Sequence, residues 1–174
     1  MPRTFEKHLT VADSAPLIYL GRLGQIGVLR RLYGNIVIPE GVLEEVAGDA
    51  ERPGATEVKN GVDEGWIIVR KVRVPPILNR AGAIGVDGEV LALAKRDALP
   101  LLTNDRVLAA LARAQGVSVK WLTQAVVEAV ARRMLSASEA RGLLRDLVRS
   151  GLRVRSEVLA EVVHLIDGAG RAAK

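Results

Sequence analysis

The sequence predicts an α/β fold: a three-layer α/β/α sandwich with a central, mainly parallel sheet and further helices at the C-terminus. Short apolar runs alternate with amphipathic helical patterns along the chain, as in consecutive strand–helix units of a parallel sheet. Hydrophobic residues make up 49% of the chain but aromatic residues only 3%. The core must therefore consist of Leu, Val, Ile and Ala, which suits helices packed on a buried sheet.

The first half of the chain contains three predicted strands. The first ends at Asp13 and is followed by two short helices, and the second spans 36–38. Pro39 is expected in the first turn of the next helix, because proline is tolerated there. ATEVKNGVDEG could form a short helix, and WIIVRKVRV is the third predicted strand, which Pro75 and Pro76 end.

The second half begins with a predicted helix from Asp87 through VLALAKRD, followed by the strand LLT. A helix at 106–115 and the strand-like VSVKWL come next, and three helices complete the chain. The first of these spans 123–134, the second has Ser136 as N-cap with Glu139 at the capping-box position, and the third starts at Ser156. The final GAGRAAK is expected to be a frayed tail.

Composition narrows the classes of function. The chain has no cysteine, which excludes a disulfide framework and thiolate chemistry. No apolar run is long enough to span a bilayer, so we expect a cytoplasmic, soluble protein with no membrane partner. The formal net charge is +5, which favours a polyanionic partner, although a solvated basic surface would explain it equally well.

Acidic residues occupy positions where the functional groups of parallel sheets collect, the carboxyl ends of strands. Asp13 and Asp105 each follow an apolar strand. Asp87 starts a helix, so the preceding loop must carry it to the same edge. Each acid could simply cap a helix or stabilise a turn. Several carboxylates at one edge, however, would repel one another unless a cation neutralised them, and oxygen ligands select Mg²⁺ or Mn²⁺.

The motifs resemble those of the PIN-domain family, whose best-known members are VapC-like toxin ribonucleases. TVADSAPLIYL resembles the opening motif, with Asp13 and Ser14. VLEEV resembles the second and favours Glu45 over Glu44. DGEVLALAKRDALPLLTND resembles the third, in which Asp87 and Asp105 supply the acids. Glu89, two residues after Asp87, is an alternative to Asp87 as the third acidic ligand.

The resemblance implies a metal-dependent endoribonuclease with Mg²⁺ or Mn²⁺ as cofactor. Its implied catalytic and metal-binding residues are Asp13, Glu45, Asp87 and Asp105, with Glu89 as a further possible ligand. Hydrogen-bonding or substrate-binding roles fall to Ser14, Thr103, Asn104 and Arg106. His8 and His164 lie in no motif. An RNA substrate, a homodimer and an antitoxin protein as partner are also implied, with the chain as the toxin.

The resemblance covers a core at about 9–122 of a single domain, 1–174. The helical extension at about 123–167 looks like that of a PIN-like branch with less evidence of function. The stretch RVLAALA replaces the phenylalanine that often follows the last Asp. Two alternatives remain: an inactive PIN fold that binds RNA or protein as a regulator, and a doubly wound enzyme that acts on small phosphate esters, although the chain lacks P-loop glycines.

Overall fold

The computed structural model describes residues 9–172. Its centre is a five-stranded sheet in which every pairing is parallel and the strand order is β3-β2-β1-β4-β5. The strands are β1 Thr10–Ala12, β2 Ile36–Pro39, β3 Ile67–Arg70, β4 Leu101–Leu102 and β5 Val119–Lys120. This arrangement confirms the predicted parallel sheet.

Ten helices accompany the sheet within residues 9–172. They are α1 Ser14–Arg22, α2 Gly27–Tyr33, α3 Glu40–Ala47, α4 Ala55–Asp63, α5 Pro76–Arg80, α6 Gly85–Arg96, α7 Arg106–Ala114, α8 Leu122–Ala131, α9 Ala137–Arg149 and α10 Ser156–Ala172. The predicted α/β fold with C-terminal helices is confirmed. None of these helices combines the length and the apolar composition needed to cross a bilayer.

The central strands are short, and burial of their side chains stabilises them in the sheet. Val11 of β1, Ile38 of β2 and Leu101 of β4 are completely buried, as strands covered by helices on both faces require. Because all five strands run in one direction, the residues that follow β1, β2 and β4 meet at one edge. That carboxyl edge is where α1, α3 and α7 begin.

Three local expectations were wrong. The third strand ends at Arg70, and Pro76 opens the unpredicted helix α5, because proline suits a helix's first turn as well as it ends a strand. Pro39 is the N-cap of α3 and still pairs in β2. The last helix continues to Ala172 instead of fraying after residue 167.

Close packing explains the length of α10. A Cβ atom at Gly170 would lie only 2.8 Å from the Cβ of Ala137, so the glycine allows α10 to lie directly against the start of α9. Arg141 and Asp167 also form an ion pair between these helices. The start of α9 agrees with its predicted capping box, since the Ser136 hydroxyl accepts from the Glu139 N–H and the Glu139 carboxylate accepts from the Ser136 N–H.

Candidate functional site

Asp13 lies at the end of the central strand β1, where it is buried with 6% exposure. Its backbone N–H donates to the Leu102 carbonyl at 2.9 Å, which extends the β1–β4 ladder to this residue. Its carboxylate accepts from the Ser14 N–H at 2.7 Å and from the Thr103 hydroxyl at 2.7 Å. The backbone and side chain of Asp13 are therefore both fixed by their neighbours.

Thr103, directly after β4, connects two of the predicted acids. While its hydroxyl donates to Asp13 Oδ2, the same oxygen accepts from the Asp105 N–H at 3.0 Å. Thr103 is completely buried, and its own N–H donates to the Lys120 carbonyl of β5 at 3.1 Å. This hydroxyl thus orients Asp13 and fixes the backbone that carries Asp105.

Asp105 is the N-cap of α7, as one of the sequence alternatives proposed. Its Oδ1 accepts from the Leu108 N–H at 2.8 Å. The residue is exposed, and its Oδ2 forms no hydrogen bond with any of residues 9–172. Because a carboxylate has about four lone-pair positions, the capping role leaves Asp105 able to bind a cation.

Asp87 reaches the carboxyl edge through the long segment between β3 and α6, as the sequence predicted. From β3, an outer strand, the chain passes through α5 and turns into α6 at Gly85, whose φ of 58° is in the left-handed region. A Cβ at Gly88 would lie 2.7 Å from the Ala83 carbonyl oxygen, so this glycine lets the approach segment pack closely on α6. Asp87 consequently lies in the first turn of α6, half-buried.

The two adjacent glutamates of α3 have different surroundings. Glu45 accepts a hydrogen bond from the Ser14 hydroxyl, next to Asp13. Glu44 instead lines a surface depression together with Lys59 and Asp63 of α4. The structure therefore places Glu45, and not Glu44, beside Asp13.

The remaining predicted residues take other positions. Glu89 Oε2 accepts from the Gly41 N–H at 2.9 Å, so its carboxylate is engaged at the start of α3. Asn104 Oδ1 accepts from the Leu122 N–H at 3.2 Å at the start of α8. Arg106 is exposed in the first turn of α7. His164 is exposed on α10, and His8 lies outside the described residues.

The electrostatics show that four carboxylates influence one another. Burial raises the pKa of Asp13 to about 6; the hydrogen bonds from Thr103 and Ser14 oppose this rise, and the charges of Asp87 and Asp105 add to it. The pKa of Asp87 is also raised, first by burial and then by the charges of Asp105 and Glu45. No cationic side chain is among the causes in either case.

The donor set fits a hard divalent cation chemically, because all its members are carboxylates and Asp13 uses only two of its lone-pair positions on hydrogen bonds. The side chains in this conformation are not drawn together around an ion. Among residues 9–172, no three Asp, Glu or His side chains form a group that could ligate one metal ion.

The role of Thr103 gives a prediction about stability. Thr103→Val should lower the free energy of unfolding by about 1–3 kcal/mol, because the Asp13 carboxylate and the Asp105 N–H both lose a buried partner. Thr123→Val is the matched control, since Thr123 is also buried but its hydroxyl bonds to none of residues 9–172. Urea unfolding measures both variants, and equal losses would contradict the connecting role of Thr103.

The sheet is all-parallel, and four acidic residues lie at its carboxyl edge. The protein is therefore an α/β protein whose candidate site consists of carboxylate oxygens. A family model described as a PIN domain matches residues 9–168. The chain belongs to the PIN-domain family. This establishes the family that the sequence motifs predicted.

Two further comparisons give no information on function. One solved structure that resembles the chain is described as a domain of a functionally unknown protein from Methanocaldococcus jannaschii DSM 2661. It is 23% identical, and the match covers 66% of this chain and 90% of that one with a TM-score of 0.43. None of the curated proteins compared with the chain matches it.

Proposed function

We propose that the protein is an endoribonuclease that depends on Mg²⁺ or Mn²⁺ and cleaves RNA at the carboxyl edge of its sheet. The observation that supports this most is the environment of Asp13. A buried carboxylate held by two hydrogen bonds, with Asp87 and Asp105 close enough to raise its pKa, is an unfavourable arrangement without a cation. Membership of a family of nucleases supports the same reaction class.

The residues divide into ligands and positioning groups. Asp13, Glu45, Asp87 and Asp105 would hold the ion directly or through bound water. Thr103 and Ser14 act through their hydrogen bonds, Thr103 on Asp13 and Ser14 on Glu45. The chemistry that such an ion supplies when bound is polarisation of a phosphate oxygen and acidification of water.

The same charges explain why the phosphodiester that is cleaved would need a cation beside the four acids. Four carboxylates repel a phosphodiester, and a buried Asp13 cannot be screened well by solvent. A bound cation would lower the pKa of Asp13, because a neighbouring positive charge favours the ionised carboxyl. The acids then serve as ligands and do not need to act as proton donors.

The test is cleavage of a labelled single-stranded RNA with Mg²⁺ or Mn²⁺ and with EDTA. We expect cleavage only with the metal and at least about a 10²-fold loss in Asp105→Asn, since a weakened metal contact removes several kcal/mol of charge stabilisation. Glu44→Gln is the matched control and should retain activity within about twofold, because Glu44 faces α4. Equal activity in both variants, or activity in EDTA, would contradict the proposal.

The assay also separates the two alternative functions. RNA binding without cleavage at saturating Mn²⁺ would indicate an inactive PIN fold that acts as a regulator. Hydrolysis of a chromogenic phosphate monoester, without cleavage of RNA, would indicate an enzyme that acts on small phosphate esters.

We further propose, from the family alone, that the protein is the toxin of a toxin–antitoxin pair and forms a homodimer. An adjacent gene for a small DNA-binding protein, whose product suppresses growth inhibition by this chain, would support the toxin role. Unimpaired growth on overexpression of the active protein would contradict it. Light scattering tests the dimer, and a monomer at micromolar concentration would exclude a stable one.

A further inference from the structure

A groove of about 550 Å³ is lined by Asn104 and Arg106, the residues on either side of Asp105 in the chain. Its other lining residues belong to α7, the start of α8, α10 and the segment before α10. Its volume is in the range of ligand-binding pockets. The C-terminal extension thus contributes to a groove that includes both sequence neighbours of one of the four acids.

The groove is strongly basic. Four arginines line it, against one acid, Glu161; they are Arg106, Arg113, Arg153 and Arg155. All four are exposed. Arg106 and Arg113 are seven residues apart on α7, so they lie on one face about 10 Å apart along the helix axis. The charge is therefore spread along the groove.

These arginines are not used to hold the fold together. The guanidinium groups of Arg106, Arg153 and Arg155 form no hydrogen bond or ion pair with any of residues 9–172. Some arginines elsewhere pair with acids, as Arg141 does with Asp167 and Arg132 with Glu128, whereas others, such as Arg145 and Arg149, form no ion pair within residues 9–172. The groove differs from these scattered positions because it gathers four guanidinium groups around one space. This grouping favours an anionic ligand.

The floor of the groove is apolar and contains one aromatic ring. Trp121 is half-buried there, and the Arg113 guanidinium lies over its ring, 5.5 Å from the centroid. Val158 and Leu165 continue the floor, and Leu165 remains 47% exposed. A basic groove with an aromatic side chain is how proteins bind single-stranded nucleic acid, because the cations contact phosphates while a base stacks.

We propose that this groove binds the single-stranded RNA segment next to the cleaved bond, with Arg153 and Arg155 on its phosphates and a base on Trp121. The inference deepens the proposed ribonuclease function and rests on it for the identity of the polyanion. The C-terminal extension is then part of the substrate site. An aromatic ring can stack only on a base that is not paired within a duplex, so single-stranded RNA is the expected ligand.

Fluorescence anisotropy with a labelled single-stranded RNA in EDTA tests the arginines, because the RNA stays intact without metal. Arg153→Ala/Arg155→Ala should bind at least about tenfold more weakly, with the slope of log affinity against log salt reduced by about 1.4. Arg145→Ala/Arg149→Ala removes the same charge from exposed positions of α9 and should bind within about twofold of wild type. Equal losses in both variants, or equal affinity for a duplex, would overturn the proposal.

Tryptophan fluorescence tests the aromatic contact, since the chain has only two tryptophans. Quenching on addition of the same RNA should persist in Trp66→Phe and disappear in Trp121→Phe. Quenching that persists in Trp121→Phe would overturn the stacking. Asp13→Asn should lose cleavage but still bind the RNA in EDTA, because Asp13 is not among the residues that line the groove. If the wild type binds RNA but does not cleave it, the proposed ribonuclease function fails and the groove proposal stands. If the wild type does not bind RNA, the groove proposal is overturned.

Discussion

Asp13→Asn is expected to lower the rate of RNA cleavage at least about 10³-fold without unfolding the protein. Asp13 has the most buried carboxylate of the four acids and the only one held by both a backbone N–H and a buried hydroxyl. Replacing it removes a charge from the centre of the cluster, and loss of about 4 kcal/mol of charge stabilisation corresponds to this factor. The amide keeps the size of the side chain, so packing around β1 is preserved.

The measurement is single-turnover cleavage of a labelled RNA at saturating Mn²⁺, which reports the chemical step separately from binding. Asp63→Asn on α4 is the matched control, since it removes one exposed acid that lies beside Glu44 and Lys59 and is not one of the four acids of the site. It should cleave at the rate of the wild type. A loss below tenfold in Asp13→Asn would place the reaction elsewhere on the molecule.

The sequence predicted Asp13 and Asp105 for a simple physical reason. Each follows an apolar segment that can only be a buried strand, and parallel strands end at one edge. Their neighbours were also predictable as hydrogen-bonding groups, and Ser14 and Thr103 do bond to the acids beside them. Local pattern and strand direction together are sufficient to place these two acids at the carboxyl edge of the sheet.

Other features depend on contacts that local patterns do not contain. Helix α5 starts at a proline that could equally have ended a strand, and α10 persists because Gly170 packs on Ala137. Glu89 is two residues from Asp87 on one helix, and only the position of Gly41 on α3 shows where its carboxylate is bound. These outcomes were decided by residues distant in sequence.

The basic groove was missed for a related reason. An aromatic content of 3% gives no sign of a surface on which bases stack, but a single tryptophan in the right place requires no unusual composition. Arg113 and Arg155 are 42 positions apart in the sequence. They line one groove because α10 packs on α8, which brings the segment before α10 to the same side as α7. The clue available from the sequence was the pair of arginines in GLRVRSEV, directly before a helix.

The stability of the metal-free protein should fall as the pH rises from about 4 to about 7, through the titration of Asp13. Its pKa is raised from 3.8 to about 6 in the folded chain, mainly by burial. Between these values the folded state keeps the proton and the unfolded state has released it. The stabilisation is thus fully present below about pH 4 and lost as the pH passes 6. The shift corresponds to about 3 kcal/mol.

Comparison with Asp13→Asn isolates this effect, because the variant cannot titrate at position 13. The free energy of unfolding in EDTA, from urea titrations, should change by about 2 kcal/mol more in the wild type than in the variant between pH 4 and pH 7. Exposed acids with lowered pKa, such as Asp97, titrate in the opposite sense but do so in both proteins. Parallel pH profiles would show that the carboxylate of Asp13 is not destabilised by burial.

If the two pH profiles diverge, addition of Mn²⁺ at pH 7 should stabilise the wild type more than the variant, because the cation favours the ionised Asp13.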